Sequence, residues 1–235
     1  MLVSGAVAAK ASRQVDPGEP IELVGPPPRF VSRGGDKLDA ALERMGVSVG
    51  GRRCLDAGAS TGGFTDCLLQ RGAREVVAVD VGFGQLHERL RADDRVRNLE
   101  RTNVRTLDAA AIGGPVDIVV ADLSFISLRT VLPALLGLVE PAGDLVLLVK
   151  PQFEAGRQEA SKGRGVIRDP AVWRRVLEDV RSAVVSQGAS MMEAMVSPLR
   201  GADGNVEFLV RLSPRPGAPR VDLDAVVADA AADGG

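Results

Sequence analysis

Leu55-Asp56-Ala57-Gly58-Ala59-Ser60-Thr61-Gly62-Gly63-Phe64 joins an apolar run to a helical one through a glycine-rich turn led by an acid. Such a join restricts the chain to folds in which a strand feeds directly into a helix. The next apolar run, Val76-Val77-Ala78-Val79, ends in Asp80, 24 residues after Asp56. Glycine lets backbone approach a ligand closely, and an acid closing the following strand can hold a ribose diol. The pattern suits an adenosine-containing cofactor and leaves open which one.

The alternation continues on both sides of this turn. Asp36 to Met45 reads as a helix with Leu38, Ala41, Leu42 and Met45 on one face. Strands are expected at Arg53–Asp56, Glu75–Asp80, Val116–Asp122 and Asp144–Lys150, with a further element leading into Thr102-Asn103-Val104. Helices are expected between them at Phe64–Arg71, Leu86–Arg91 and Leu128–Val139. Most of the strands are unbroken apolar runs, as in parallel strands covered on both faces. After Asp169-Pro170 a long amphipathic helix should reach about Gln187, with Trp173, Val176, Leu177 and Val180 inward. Met191–Ser197 and Asn205–Leu212, joined by Pro198–Gly204, read as a terminal hairpin. The expected fold is α/β, a mostly parallel seven-stranded sheet with an antiparallel hairpin strand and helices on both faces.

The main domain is thus expected over 29–213. Residues 1–28 hold two or three short strands, which cannot carry a core alone, and the stiff linker Pro26-Pro27-Pro28. Residues 214–235 are rich in Pro, Gly, Ala and Asp and are expected to be disordered. No segment approaches the roughly 18 apolar residues of a membrane helix, and no export signal opens the chain. Cys54 and Cys67 sit in apolar surroundings and read as small core residues, which fits a reducing cytoplasm. The net charge of −2 argues against nucleic acid only at first sight, because Asp222, Asp224, Asp229 and Asp233 crowd the tail. Basic residues gather at Arg33 to Arg53, Arg89 to Arg105 and Lys150 to Arg168, where they can meet phosphates or form ordinary solvated faces.

In open parallel sheets, ligands sit beyond the carboxyl ends of the strands. Asp56 and the turn, Asp80, Asn103-Val104, Asp122 and Lys150 all fall at such ends. Gly58, Ser60 and Gly62 occupy the three positions of the dinucleotide fingerprint, with Gly63 and Phe64 following, so the middle glycine is absent. That glycine is where a pyrophosphate must come close. Its replacement favours a cofactor bearing an amino acid, S-adenosylmethionine, over a nicotinamide dinucleotide; a purely structural turn stays open. Lys150 can be a desolvated base paired with Asp122, or a surface residue capping a strand. Glu207 can face solvent, and Lys37 can bind phosphate or merely be exposed. His87, the single histidine, reads as a capping residue, and no metal-ligand spacing is present.

Several strings then match one family. They are Val31-Ser32-Arg33-Gly34-Gly35-Asp36-Lys37-Leu38, the turn itself, Val76–Leu86, Glu100–Arg105, Val119–Leu128, Leu148–Glu154 and Gly204–Phe208. Together they strongly resemble the TlyA group of rRNA 2′-O-ribose methyltransferases, also called hemolysins, over roughly residues 1–212. The resemblance implies a Rossmann-like class I methyltransferase domain of the FtsJ type, with S-adenosylmethionine as cofactor. It implies a catalytic set at Lys37, Asp122, Lys150 and Glu207, in which Lys150 positions or deprotonates a ribose 2′-hydroxyl. The implied cofactor contacts are Asp56, Gly58, Ser60, Gly62, Gly63, Phe64, Asp80, Asn103, Val104 and Asp122. Cytidines of ribosomal RNA, in the subunits or as naked rRNA, would be the substrate, with no metal and no stable membrane association. Family members begin with an S4-type RNA-binding domain, of which residues 1–28 match only the closing strands and linker. Three other readings stand beside this one: a non-catalytic RNA-binding or assembly protein, a membrane-lytic protein, and a nicotinamide dehydrogenase.

Overall fold

The computed structural model describes residues 1–8, 10, 13–22, 28–156, 159, 161, 163–217 and 221–232. Near the start, β1 (Leu2–Val3), β2 (Ala6–Val7) and β3 (Ile21–Glu22) form an antiparallel sheet in the order β2-β1-β3. Ser4 and Gly5, both at positive φ, make the tight turn between the first two. The continuation of the expected third strand, Leu23-Val24, and most of the proline linker lie outside the described residues.

The main domain opens with α1 (Gly34–Arg44) and then alternates. It continues through β4 (Arg53–Ala57), α2 (Gly63–Gln70), β5 (Glu75–Val79), α3 (Glu88–Arg91) and β6 (Val96–Leu99). Next come β7 (Val116–Ala121), α4 (Leu128–Leu138), β8 (Val139–Val149) and the single turn α5 (Pro151–Glu154). The remainder is α6 (Pro170–Ser186), β9 (Ser190–Val196), β10 (Phe208–Ser213) and α7 (Leu223–Ala232). The sheet order is β6-β5-β4-β7-β8-β10-β9. Five strands are parallel, and β10 runs antiparallel to both neighbours. The expected seven-stranded architecture is therefore present. β8 begins five residues earlier than expected, because Val139 pairs with Val116 before a register shift admits Pro141 and Gly143.

Alternation along the strands divides the core into two layers. Leu145, Leu147 and Val149 of β8 join a cluster with Val131 and Leu135 of α4, Trp173, Leu177 and Val180 of α6, and Phe208. Val146 and Leu148 join the opposite cluster with Leu38 and Leu42 of α1 and Phe64 and Leu68 of α2. Cys54 and Cys67 lie in this second layer as free thiols, and burial pushes both up to about 12. α6 starts on an Asp169 cap, whose carboxylate accepts the Ala171 N–H, followed by Pro170 in the first turn.

One expectation is corrected. The tail was assigned no structure, yet α7 packs Leu223, Val226, Val227 and Ala230 into the first layer, against α6 and β9. The alanine and aspartate content concealed an i, i+3, i+4, i+7 apolar stripe that the neighbouring helix completes. Residues 218–220 and 233–235 lie outside the described residues.

Candidate active site

Register brings the strand ends to one edge. Ala57 pairs with Val79 on one side and Ala121 on the other, so the residues that follow, Gly58, Asp80 and Asp122, leave the sheet side by side. Val149 pairs with Phe208 of the antiparallel β10. The residue after one, Lys150, therefore lies across from the residue before the other, Glu207. An antiparallel strand begins where its parallel neighbours end, which is why a glutamate 57 positions downstream of Lys150 reaches the same edge. Lys37 comes from the first turn of α1.

Two cavities open along this edge. The first, about 530 Å³, holds Lys37, Glu207, Lys150 and Asp122 in its wall, with Arg33, Ser60, Phe64 and Gly201 among their neighbours. The second, about 480 Å³, is walled by Asp80, Gln85, Asn103 and the apolar Val79, Val104, Leu123 and Ile126. Gly58, Ser60, Asp122 and Ser124 belong to both, so the cavities share a wall. Gly58 stands there at φ +82°, and a β-carbon would sit 2.6 Å from the Asp122 carbonyl oxygen. Only glycine allows this turn to pass so close to β7.

Two ion pairs furnish the first cavity. Lys37 Nζ donates to Glu207 Oε2 at 2.5 Å, and both side chains are almost entirely buried. Lys150 Nζ lies 2.5 Å from Asp122 Oδ1 and donates to Ser124 Oγ at 3.0 Å. Gly201 backs the Glu207 carboxylate so closely that a β-carbon there would lie 2.7 Å from Oε1. The bland alternatives for these residues, an exposed lysine and a solvent-facing glutamate, do not match the burial found. In the second cavity, Asp80 accepts the Ser60 N–H at 2.8 Å and the Gly82 N–H at 2.7 Å, which fixes the glycine turn to the end of β5. Asn103 accepts the Arg105 N–H and keeps its own amide donors for other partners.

Two of the residues expected to touch cofactor are absent from both walls. Gly62 caps α2 and faces Leu86 and Leu90. Asp56 is fully buried beneath the turn, where Oδ2 accepts from Thr65 Oγ1 at 2.7 Å and Oδ1 has no hydrogen-bond partner among the described residues. Burial, and to a lesser degree the charges of Asp122 and Asp80, push its carboxyl up to about 7 against the Thr65 hydrogen bond. Asp56 supports the turn from below. His87 caps α3, accepting the Arg89 N–H on Nδ1. Sequence reasoning gave no role to Ser124 or Gly201. Ser124 falls in the strand end that Asp122 opens, which marks the site's edge but not a contact with Lys150; Gly201 had no signal, since its use depends on Glu207.

The walls suit S-adenosylmethionine: apolar surface for a purine, Asp80 and Asn103 for hydroxyl and amino groups, and a glycine turn open to close approach. Residues 30–213 match the FtsJ-like methyltransferase family. The chain is 51% identical over 211 residues to the 16S/23S rRNA (cytidine-2′-O)-methyltransferase TlyA of Mycobacterium tuberculosis, covering 89% of this chain and 78% of that one. A solved structure from Streptococcus thermophilus, described as a hemolysin, superposes with a TM-score of 0.82 at 44% identity, covering 88% of this chain and 76% of that one. At 17% identity, the magnesium protoporphyrin IX methyltransferase of Synechocystis PCC 6803 with bound SAH shares the fold alone, with a TM-score of 0.54 over 77% of this chain and 81% of that one. A strand-end cluster shared by two cavities, on a sheet of this order, is thus that of a known lineage: the chain belongs to the FtsJ-like methyltransferase family, within its TlyA group.

Proposed function

We propose that this protein is an S-adenosylmethionine-dependent 2′-O-ribose methyltransferase acting on cytidines of ribosomal RNA. The observation that carries this reading is the pair of ion pairs, Lys37–Glu207 and Lys150–Asp122, in a cavity that shares a wall with the adenosine-sized one. The relative from Mycobacterium tuberculosis, named for transfer to cytidine 2′-oxygens, supports the substrate class.

S-adenosylmethionine supplies an already activated methyl group, so this chain's residues have mainly to bring an oxygen into line with it. Asp80, Asn103 and Val104 hold the adenosine, while Gly58 and Ser60 border the amino-acid end. Lys150, aimed by Asp122 and Ser124, meets the ribose 2′-hydroxyl and either orients the oxygen as a donor or takes its proton. Lys37, held by Glu207, fixes the nucleotide from the opposite wall. Phe64 and the loop around Gly201 complete the wall of the first cavity.

We read residues 1–28 as the remainder of an S4-type RNA-binding domain with its linker; the three-stranded sheet at Leu2–Glu22 supports this. The substrate places the protein in the cytoplasm. Among the described residues no helix is long and apolar enough to cross a membrane, and the membrane-lytic reading gains no observation. The deciding experiment supplies labelled methyl donor to intact ribosomal subunits and to naked rRNA, then maps ribose methylation. Label at a cytidine 2′-oxygen is expected; a folded, cofactor-binding protein that labels neither substrate overturns the reading.

A further inference from the structure

Glu154 is 6% exposed, yet it borders neither cavity. Its carboxylate accepts from Ser127 Oγ at 2.6 Å, from the Leu128 backbone N–H at 2.5 Å and from Arg129 Nε at 3.3 Å. Arg129 Nη2 also donates to the Glu154 carbonyl at 3.1 Å. All of these donors stand at the start of α4, where a free backbone N–H and the helix dipole favour an anion.

The consequence lies in what the two segments carry. The loop leaving β7 runs from Asp122 through Ser124 to Ser127, and the segment leaving β8 runs from Lys150 through α5 to Glu154. Lys150 joins them at one end through Asp122 and Ser124, and Glu154 joins them at the other. Between the two joints the rings of Phe125 and Phe153 lie 5.2 Å apart. A lysine side chain has four rotatable bonds and holds no direction by itself. A buried carboxylate with all its partners in place is rigid, and costly to disturb.

We propose that Glu154 is a positioning residue, which fixes the reach of Lys150 to Asp122 by clamping the loop after β7 to the turn after β8. The proposal rests on the function assigned above to Lys150. Glu154→Gln keeps the volume but turns one acceptor into a donor that opposes those of Ser127, Leu128 or Arg129.

The test reads Lys150 directly. The chain contains four lysines, so ¹³C-lysine labelling gives few signals, and Lys150→Arg assigns the relevant one. In Glu154→Gln the Lys150 side-chain signal should move. Turnover on rRNA should drop about tenfold or more, with KM and S-adenosylhomocysteine affinity changed less than about threefold. An unmoved Lys150 signal overturns the proposal, as does a turnover loss matched by an equal loss of cofactor affinity. Should Glu154→Gln fail to fold, Ser127→Ala removes one donor to Glu154 together with the cap that its Oγ gives the Arg129 N–H; a smaller shift of the same signal is expected, and none overturns the clamp. A wild-type protein that methylates no RNA would sink the substrate assignment, while the Lys150 signal would still decide the clamp.

Discussion

Lys37 and Lys150 are two of four lysines in a chain with 29 basic residues, the others being arginines. Arginine serves the structural pairs: Arg71 and Arg29 on Asp39, Arg89 on Asp66, Arg211 on Asp144. Burial raises the Asp39 carboxyl, but hydrogen bonds from Arg71 and Arg29 more than offset this and hold it below the usual range. A guanidinium cannot give up its proton and needs a wide, planar seat; an ammonium is compact and can. The two ion pairs of the first cavity use the residue that can meet one oxygen atom. Lys150→Ala should lower methyl transfer by about a hundredfold or more while leaving S-adenosylhomocysteine affinity nearly intact. Retained transfer would remove Lys150 from the chemistry. Asp56 makes a prediction of opposite kind. Its carboxyl is raised to about 7 from 3.8, so the folded protein holds a proton that the unfolded chain releases. The contribution of Asp56 to stability should therefore be highest below the unfolded value, fall as pH rises from about 4 to about 7, and level off above. Asp56→Asn, which can still accept from Thr65, should flatten this slope and raise the melting temperature more at pH 8 than at pH 5. Equal effects at both pH values would show that the buried carboxylate carries no such cost.

At the scale of elements, the site is a set of strand ends, and strand ends were readable. Apolar runs closed by Asp80, Asp122 and Lys150 marked the sheet's carboxyl edge, because a parallel strand buried on both faces must end where its first polar residue emerges. The turn after β4 was equally legible, though it contributes through Gly58 and Ser60 and not through Asp56 or Gly62. The reason is geometric: Asp56 is still within the strand, where the pleat directs its side chain into the layer under α2. Asp80 holds the glycine turn with one oxygen and its own loop with the other. Asp80→Ala should weaken S-adenosylhomocysteine binding by roughly tenfold to a hundredfold, the value of a lost charge-assisted hydrogen bond. Calorimetric titration checks it, and an unchanged affinity would count against any contact with the ribose.

On the scale of the whole molecule, the partners farthest apart in sequence were the least legible from the residues themselves. Nothing local ties Lys37 to Glu207 across 170 positions; only their match to a family's motif suggested that they meet. The topology supplies the physical cause, since β10 inserts between β8 and β9 and starts at the edge where the others stop. The tail was illegible for a related reason, its apolar stripe acquiring meaning only against α6. Truncation after Ser213 should expose that surface and lower the melting temperature by several degrees, since each well-buried aliphatic side chain contributes about 1.5–3 kcal/mol. A truncated protein that melts with the full chain would show that α7 adds nothing to the core.

The insertion of β10 also sets a timetable. The second cavity is lined by residues between Gly58 and Val131, whereas Glu207 and the strand behind it emerge from the ribosome more than seventy residues later. Domains are made from the N-terminus onward. A nascent chain thus holds all the residues of that wall well before it owns the glutamate that restrains Lys37. A polypeptide that stops before Glu207 would carry every residue of the second cavity's wall and yet lack the partner of Lys37 in the first.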